Sequence, residues 1–157
     1  MRDGLAAGAA GAILGGLPST LVTLFGGEDI LASTRAVGRV LVPGDKGDDD
    51  LVLVAAGAAA HAVISLGWGV VLERVLPRRH TVVTGAAAGL AIAVVDLGVI
   101  GRRLPSIRRL PIGRQVLDHV AYGAVVGAVL SRRRAAWPAG GRGGAGSRSG
   151  RCPPWRP

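Results

Sequence analysis

Four ionisable side chains stand inside otherwise charge-free stretches of this 157-residue chain: His61, Asp96, Asp118 and His119. Ionisable groups in such surroundings are costly and rare, so each is a candidate site. The chemistry they support is proton transfer, because histidine titrates near neutral pH and exchanges a proton with a nearby carboxylate. Ser65 lies one helical turn beyond His61, and Asp118 and Tyr122 form an i,i+4 pair within local hydrogen-bonding reach. A second reading stands beside the relay. The same residues would be interhelical hydrogen bonds, with Asp96 paired to Arg103, each worth about 0.6 kcal/mol on average. His61, His119 and an aspartate also have metal-ligand chemistry, but H-x-x-x-H spacing is missing and no metal is expected. P-loop, G-x-S-x-G and H-E-x-x-H motifs are missing too. The expectation is a protein without enzymatic activity or cofactor.

Either reading needs helices that bring the four residues to one depth. The first charge-free run, Gly4 to Gly27, predicts a span over 4–25, kinked at Pro18, with Ser19 and Thr20 satisfying the freed backbone. A cleaved signal peptide competes for this run, but its only early positive charge, Arg2, is offset by Asp3. Further spans are expected over 51–72, 81–100 and 112–130, each near the ~20 residues needed to cross the hydrocarbon. Trp68 suits an interface anchor, and Pro111 suits the first turn of the last span. At 1.5 Å per residue, His61 falls at the midplane. Asp96 lies roughly 8 Å, and Asp118 and His119 roughly 3–5 Å, toward one side.

Faces follow the same logic. Gly57, His61, Ser65 and Trp68 fall within an arc of about 80°. Gly85, Gly89 and Asp96 share another face, and His119, Gly123 and Gly127 a third. Small residues on these faces allow close helix approach in lipid; Gly85 and Gly89 make a G-x-x-x-G pair.

Composition agrees. Hydrophobic residues make up 49% of the chain but aromatic residues only 3%, so a soluble core built on aromatic bulk is excluded. The net charge of +9 is arginine throughout, apart from Lys46. Most arginines abut apolar segments, where they meet anionic headgroups; nucleic acid is not expected as a partner. Between the first two spans, residues 29–42 show Ile30, Thr34, Val37 and Leu41 on one face, predicting an amphipathic surface helix. Pro43-Gly44 ends it, and Asp45 to Asp50 form a solvated acidic turn. Residues 1–134 are thus a membrane domain and 135–157 a disordered basic tail. A lone Cys152 excludes an intrachain disulfide.

Basic residues set orientation. With both termini cytoplasmic, the inner side carries Arg2, Arg74, Arg78, Arg79, Arg132 to Arg134 and the tail arginines. The outer side carries Arg35, Arg39, Lys46, Arg102, Arg103, Arg108, Arg109 and Arg114, diluted by the acidic turn. An internal match also runs through the chain: His61, Gly69, Val71, Leu72 and Arg74 align with His119, Gly127, Val129, Leu130 and Arg132. It predicts two parallel helical hairpins.

The segments Leu17-Pro18-Ser19-Thr20, Ala32 to Val37 and Asp96-Leu97-Gly98-Val99-Ile100-Gly101-Arg102-Arg103 carry a resemblance. Over about residues 4–134 the chain resembles the uncharacterised small four-span membrane proteins of high-GC bacteria. The resemblance implies an inner-membrane location and no particular activity. Small multidrug exporters share the size but place a glutamate in the first span, which here is uncharged. The expectation is an all-α, four-helix transmembrane bundle, structural or accessory, with a homo-oligomer open to it. Its alternative is a proton-coupled transporter or channel subunit using the His/Asp cluster.

Overall fold

The computed structural model describes residues 1–42 and 49–136; the Pro43–Asp48 stretch and the tail from residue 137 lie outside the described residues. Every element in the described residues is helical: α1 (Arg2–Leu14), α2 (Leu17–Phe25), α3 (Ala32–Leu41), α4 (Asp50–Val75), α5 (Thr81–Val95), α6 (Pro105–Arg108) and α7 (Ile112–Ala136). Between α5 and α6 run a π turn (Asp96–Ile100) and a 3-10 turn (Gly101–Arg103).

Local chemistry sets most of these boundaries. Pro18 has no N–H to offer the preceding turn, and the helix is interrupted just before it, at Gly15–Gly16, with both glycines still right-handed. The chain therefore continues in the same direction as α2. Thr20 Oγ1 and Ser19 Oγ donate to the Gly16 carbonyl at 2.8 and 3.3 Å, but that carbonyl already accepts the Thr20 N–H at 3.1 Å, so they do not answer the Leu14 carbonyl that Pro18 deprives of a donor. Asp49 caps α4 by accepting from the backbone N–H groups of Leu51 and Val52, the usual role of an N-cap aspartate. His80 adopts a left-handed φ of 53°, turning the chain between α4 and α5.

Glycine decides how the long helices meet. A methyl group on Gly85 would overlap the Gly123 carbonyl, one on Gly89 the His119 carbonyl, and one on Gly127 the Thr81 carbonyl. α5 and α7 are thus antiparallel and almost backbone to backbone. Gly4 and Gly8 meet Gly69 and Ser65 in the same way, so α1 is antiparallel to α4. α1 also runs antiparallel to α7, with Asp3 bonded to Arg133 at 2.7 Å and Gly11 and Gly15 against Tyr122. The helices therefore line up as α4, α1, α7, α5. The small core, Ala7, Leu72, Leu76, Ile92, Tyr122, Val126 and Leu130, lies along this line, with Trp68 packed against it.

Among the described residues three helical stretches are long and apolar enough to cross a membrane: Arg2–Phe25, Asp50–Val75 and Thr81–Arg103. At most 28% of any such stretch is buried within the protein, and Phe25 and Ile13 are 85% and 74% exposed. Burial inside the chain thus leaves most of their apolar surface uncovered, a surface lipid is suited to cover. The sequence predicted four spans. Three of those four segments meet that measure, whereas Arg114, Gln115, Asp118 and His119 crowd the first turns of the fourth and dilute its apolarity. That segment is nevertheless the 25-residue helix α7.

The amphipathic stretch forms α3, which packs antiparallel against the first turns of α4. Gly38 meets the Leu53 backbone and Gly57 the Thr34 backbone. Arg35 ties α3 down by pairing with Asp29 and Asp50, and the Asp50 hydrogen bond raises the Arg35 pKa further.

Candidate functional site

α7 lies between α1 and α5, so two adjacent residues on it point to different neighbours. Asp118 Oδ1 accepts the Ser19 backbone N–H at 3.0 Å. That N–H belongs to the first turn of α2, where the interruption at Gly15–Gly16 leaves donors without intrahelical partners. A carboxylate there satisfies the donor and complements the positive end of the helix. Asp118 therefore acts as a cap delivered from another helix.

His119 faces α5. Its Nδ1 lies 2.7 Å from the Gln115 carbonyl, and its Nε2 lies 3.4 Å from Asp96 Oδ2. A carbonyl only accepts, so Nδ1 carries a proton. Nε2 then faces the carboxyl group in one of two ways. Either an imidazolium donates to a carboxylate, or a carboxylic acid donates to a neutral ring. Both arrangements hold one dissociable proton between the two groups. The separation exceeds the 2.7–3.2 Å of a full hydrogen bond, so the contact is loose. Both side chains are 25% exposed. Asp96 opens the π turn, a deformation often found at functional sites.

The other singled-out residues are placed elsewhere. His61 is exposed, and its Nε2 donates to the Ala12 carbonyl of α1 at 3.1 Å. Ser65 is buried and contributes its carbonyl, which accepts the Tyr122 hydroxyl. The local Asp118–Tyr122 bond expected from i,i+4 spacing does not form, since each side chain bonds to a different helix. Asp96 contacts His119 where Arg103 was the sequence alternative. Gly85, Gly89, Gly123 and Gly127 line the α5–α7 seam, and Gly57 instead faces α3. Among the described residues no three His, Cys, Asp or Glu side chains converge as metal ligands.

Several anchoring residues escaped the sequence reading. Glu73 of α4 accepts from the Met1 amino group and from the Gly4 backbone N–H, both at 3.0 Å, capping α1 from its neighbour. Arg134 donates to the carbonyls of Glu73, Leu76 and Pro77, fastening the end of α7 to the α4–α5 turn. Arg114 pairs with Glu28 and draws that carboxyl below its usual range. The spacing of Gly4, Gly8, Gly11 and Gly15 was a visible signal for the α1 seam. The carboxylate caps had no comparable signal, because their targets are backbone groups far away in the chain.

Compared with protein families, curated proteins and solved structures, the chain finds no match.

Proposed function

We propose that this chain is a small multi-pass protein of a bacterial inner membrane, of the type its sequence resembles, with a structural or accessory role and no enzymatic activity. One observation carries the reading. Three polar side chains from the apolar layer, His61, Asp118 and Tyr122, each bond a backbone group on a neighbouring helix. Such bonds join helices and leave no shared centre. In this reading α7 is a fourth crossing, supported by its antiparallel course along α5 and its return to the level of Asp3. Its polar side chains are tolerable in lipid because neighbouring helices answer them. The two antiparallel pairs then form hairpins running the same way, and both termini face the cytoplasm behind the more basic end. Anionic headgroups, and a second copy of the chain, are its partners.

Labelling tests the topology. In a Cys152→Ser background, Asp29→Cys and Arg109→Cys should react with a membrane-impermeant maleimide in intact cells, while Arg78→Cys and Ala135→Cys should be protected. Arg109→Cys and Ala135→Cys reacting alike would sink the fourth crossing.

The loose Asp96–His119 contact at a π turn favours one second reading, a proton-coupled transporter or channel subunit. Vesicles holding the protein and a pH-sensitive dye would discriminate. A proton flux abolished by Asp96→Asn in a normally assembled protein would favour the transporter; no flux in the wild type would remove it.

A further inference from the structure

The departure of the chain from α geometry after Val95 opens a groove. The π turn, the 3-10 turn, α6 and the first turn of α7 enclose about 380 Å³ between them. That falls in the range of roughly 300–1,000 Å³ typical of sites for organic ligands. Its walls divide by chemistry: Leu97, Ile107, Leu110 and Ile112 are apolar, whereas Arg102, Arg108 and Gln115 supply polar groups.

The two arginines have no counter-ion among the described residues. Among the described residues, Arg35, Arg114 and Arg133 pair with carboxylates and Arg134 with three carbonyls. Neither the Arg102 nor the Arg108 side chain makes a hydrogen bond or ion pair with any described residue. A groove with two guanidinium groups unpaired among the described residues, and no carboxylate in its lining, is complementary to an anion, and guanidinium forks match phosphate oxygens in particular.

Depth adds the second half of the argument, which rests on the membrane reading proposed above. The apolar helical stretch ends at Arg103, which puts Arg102 at headgroup level. Leu97 lies five residues back, roughly 7 Å deeper at a helical rise, at the level of acyl chains. The groove is therefore polar at the surface and apolar below, in the same order as a phospholipid.

We propose that this groove binds one anionic phospholipid, with its phosphate held between Arg102 and Arg108 and its proximal acyl carbons against Leu97 and Ile107. A bare phosphate leaves the apolar wall uncovered. A choline headgroup carries a cation toward two arginines that repel it. An anionic glycerophospholipid satisfies both walls.

The test uses the full chain in nanodiscs of equal parts phosphatidylglycerol and phosphatidylcholine, extracted with detergent and weighed by native mass spectrometry. The wild type should retain one phosphatidylglycerol per chain. Each arginine near an anionic lipid surface contributes about a factor of five in affinity, so Arg102→Gln/Arg108→Gln should lower retention by roughly twenty-five-fold. Arg78→Gln/Arg79→Gln, at the opposite end of the bundle, should retain the lipid at wild-type level. Circular dichroism of each variant shows whether it remains helical, and the single variant Arg108→Gln serves if the double one does not fold. Equal loss from both double variants, or equal retention of the two lipids by the wild type, would overturn the site. Displacement of the bound lipid by millimolar inorganic phosphate would reassign it to a free anion. Failure of the wild type to enter nanodiscs would instead overturn the membrane reading, so the two failures are distinguishable.

Discussion

The two antiparallel pairs, α1 with α4 and α5 with α7, share one register. Gly4, Gly8 and Ala12 meet Gly69, Ser65 and His61 at four-residue steps, as Thr81, Gly85 and Gly89 meet Gly127, Gly123 and His119. Seven residues further on stand Ser19 and Asp96, and near both positions the leading helix loses its α ladder. In the first pair the interruption at Gly15–Gly16, with Pro18 behind it, leaves a backbone donor. In the second, the π turn begins at an ionisable side chain. Adjacent residues of α7 answer the two places, Asp118 the N–H of Ser19 and His119 the carboxyl of Asp96. The difference separates structure from chemistry. A side chain bonded to backbone can only hold; a side chain facing a second titratable one can also exchange a proton.

The largest effect should come from filling the tighter seam. Gly85→Val places atoms where the Gly123 carbonyl lies, and overpacking against rigid backbone costs typically 1–3 kcal/mol, with about 3 kcal/mol expected here. Gly67, which has open space around its Cβ position, is the control. Gly67→Ala should stabilise by about 0.5–1 kcal/mol through helix propensity. Unfolding in micelles followed by circular dichroism measures both, and equal losses would mean the glycines do not set the helix separation.

The functional division is tested at α7. Asp118→Ala leaves the Ser19 N–H without its acceptor, at a cost of about 1–2 kcal/mol. Asp118→Asn retains a side-chain oxygen and should recover most of that loss. His119→Gln removes a long contact and should cost only about 0.6 kcal/mol. If His119→Gln proves the more damaging in the same unfolding assay, the assignment of the stronger hold to Asp118 fails.

The legible part of this molecule was its linear part. Charge-free runs located the long helices, because an apolar stretch has the same meaning wherever it lies. Four-residue spacing also grouped His119, Gly123 and Gly127 on one face, but spacing cannot say which neighbour a face meets. Gly57 shares its arc with His61, yet it packs on α3 and His61 reaches α1. Asp118 and Tyr122 satisfy the i,i+4 rule and still bond away from each other, since an unpaired N–H and a buried carbonyl on other helices offer better partners. The count of apolar helices falls one short of the proposed crossings for a related reason. The polar residues of α7 have partners on α2 and in the π turn after α5 that only the folded arrangement supplies, and hydropathy does not register them.

The smallest effect concerns how the two pairs are fastened at the end where α2 finishes and α7 begins. Glu28, beyond α2, bonds the Arg114 guanidinium at 2.9 Å, and that hydrogen bond lowers the Glu28 pKa from 4.5. A carboxyl group whose pKa is depressed by folding stabilises the fold above its unfolded value, and the contribution fades as pH falls through the lower folded value. Stability from this pair is therefore complete above about pH 5 and declines below about 4.5. The pair is exposed, so water and salt screen it and the effect should be slight. Comparing wild type with Glu28→Gln isolates it: the melting temperatures should differ modestly at pH 6 and draw together as pH falls below 4.5, with added salt narrowing the gap at pH 6. A gap that does not narrow with falling pH or with added salt would mean Glu28 acts by packing, and the first pair would then be joined to α7 at this end by shape in place of charge.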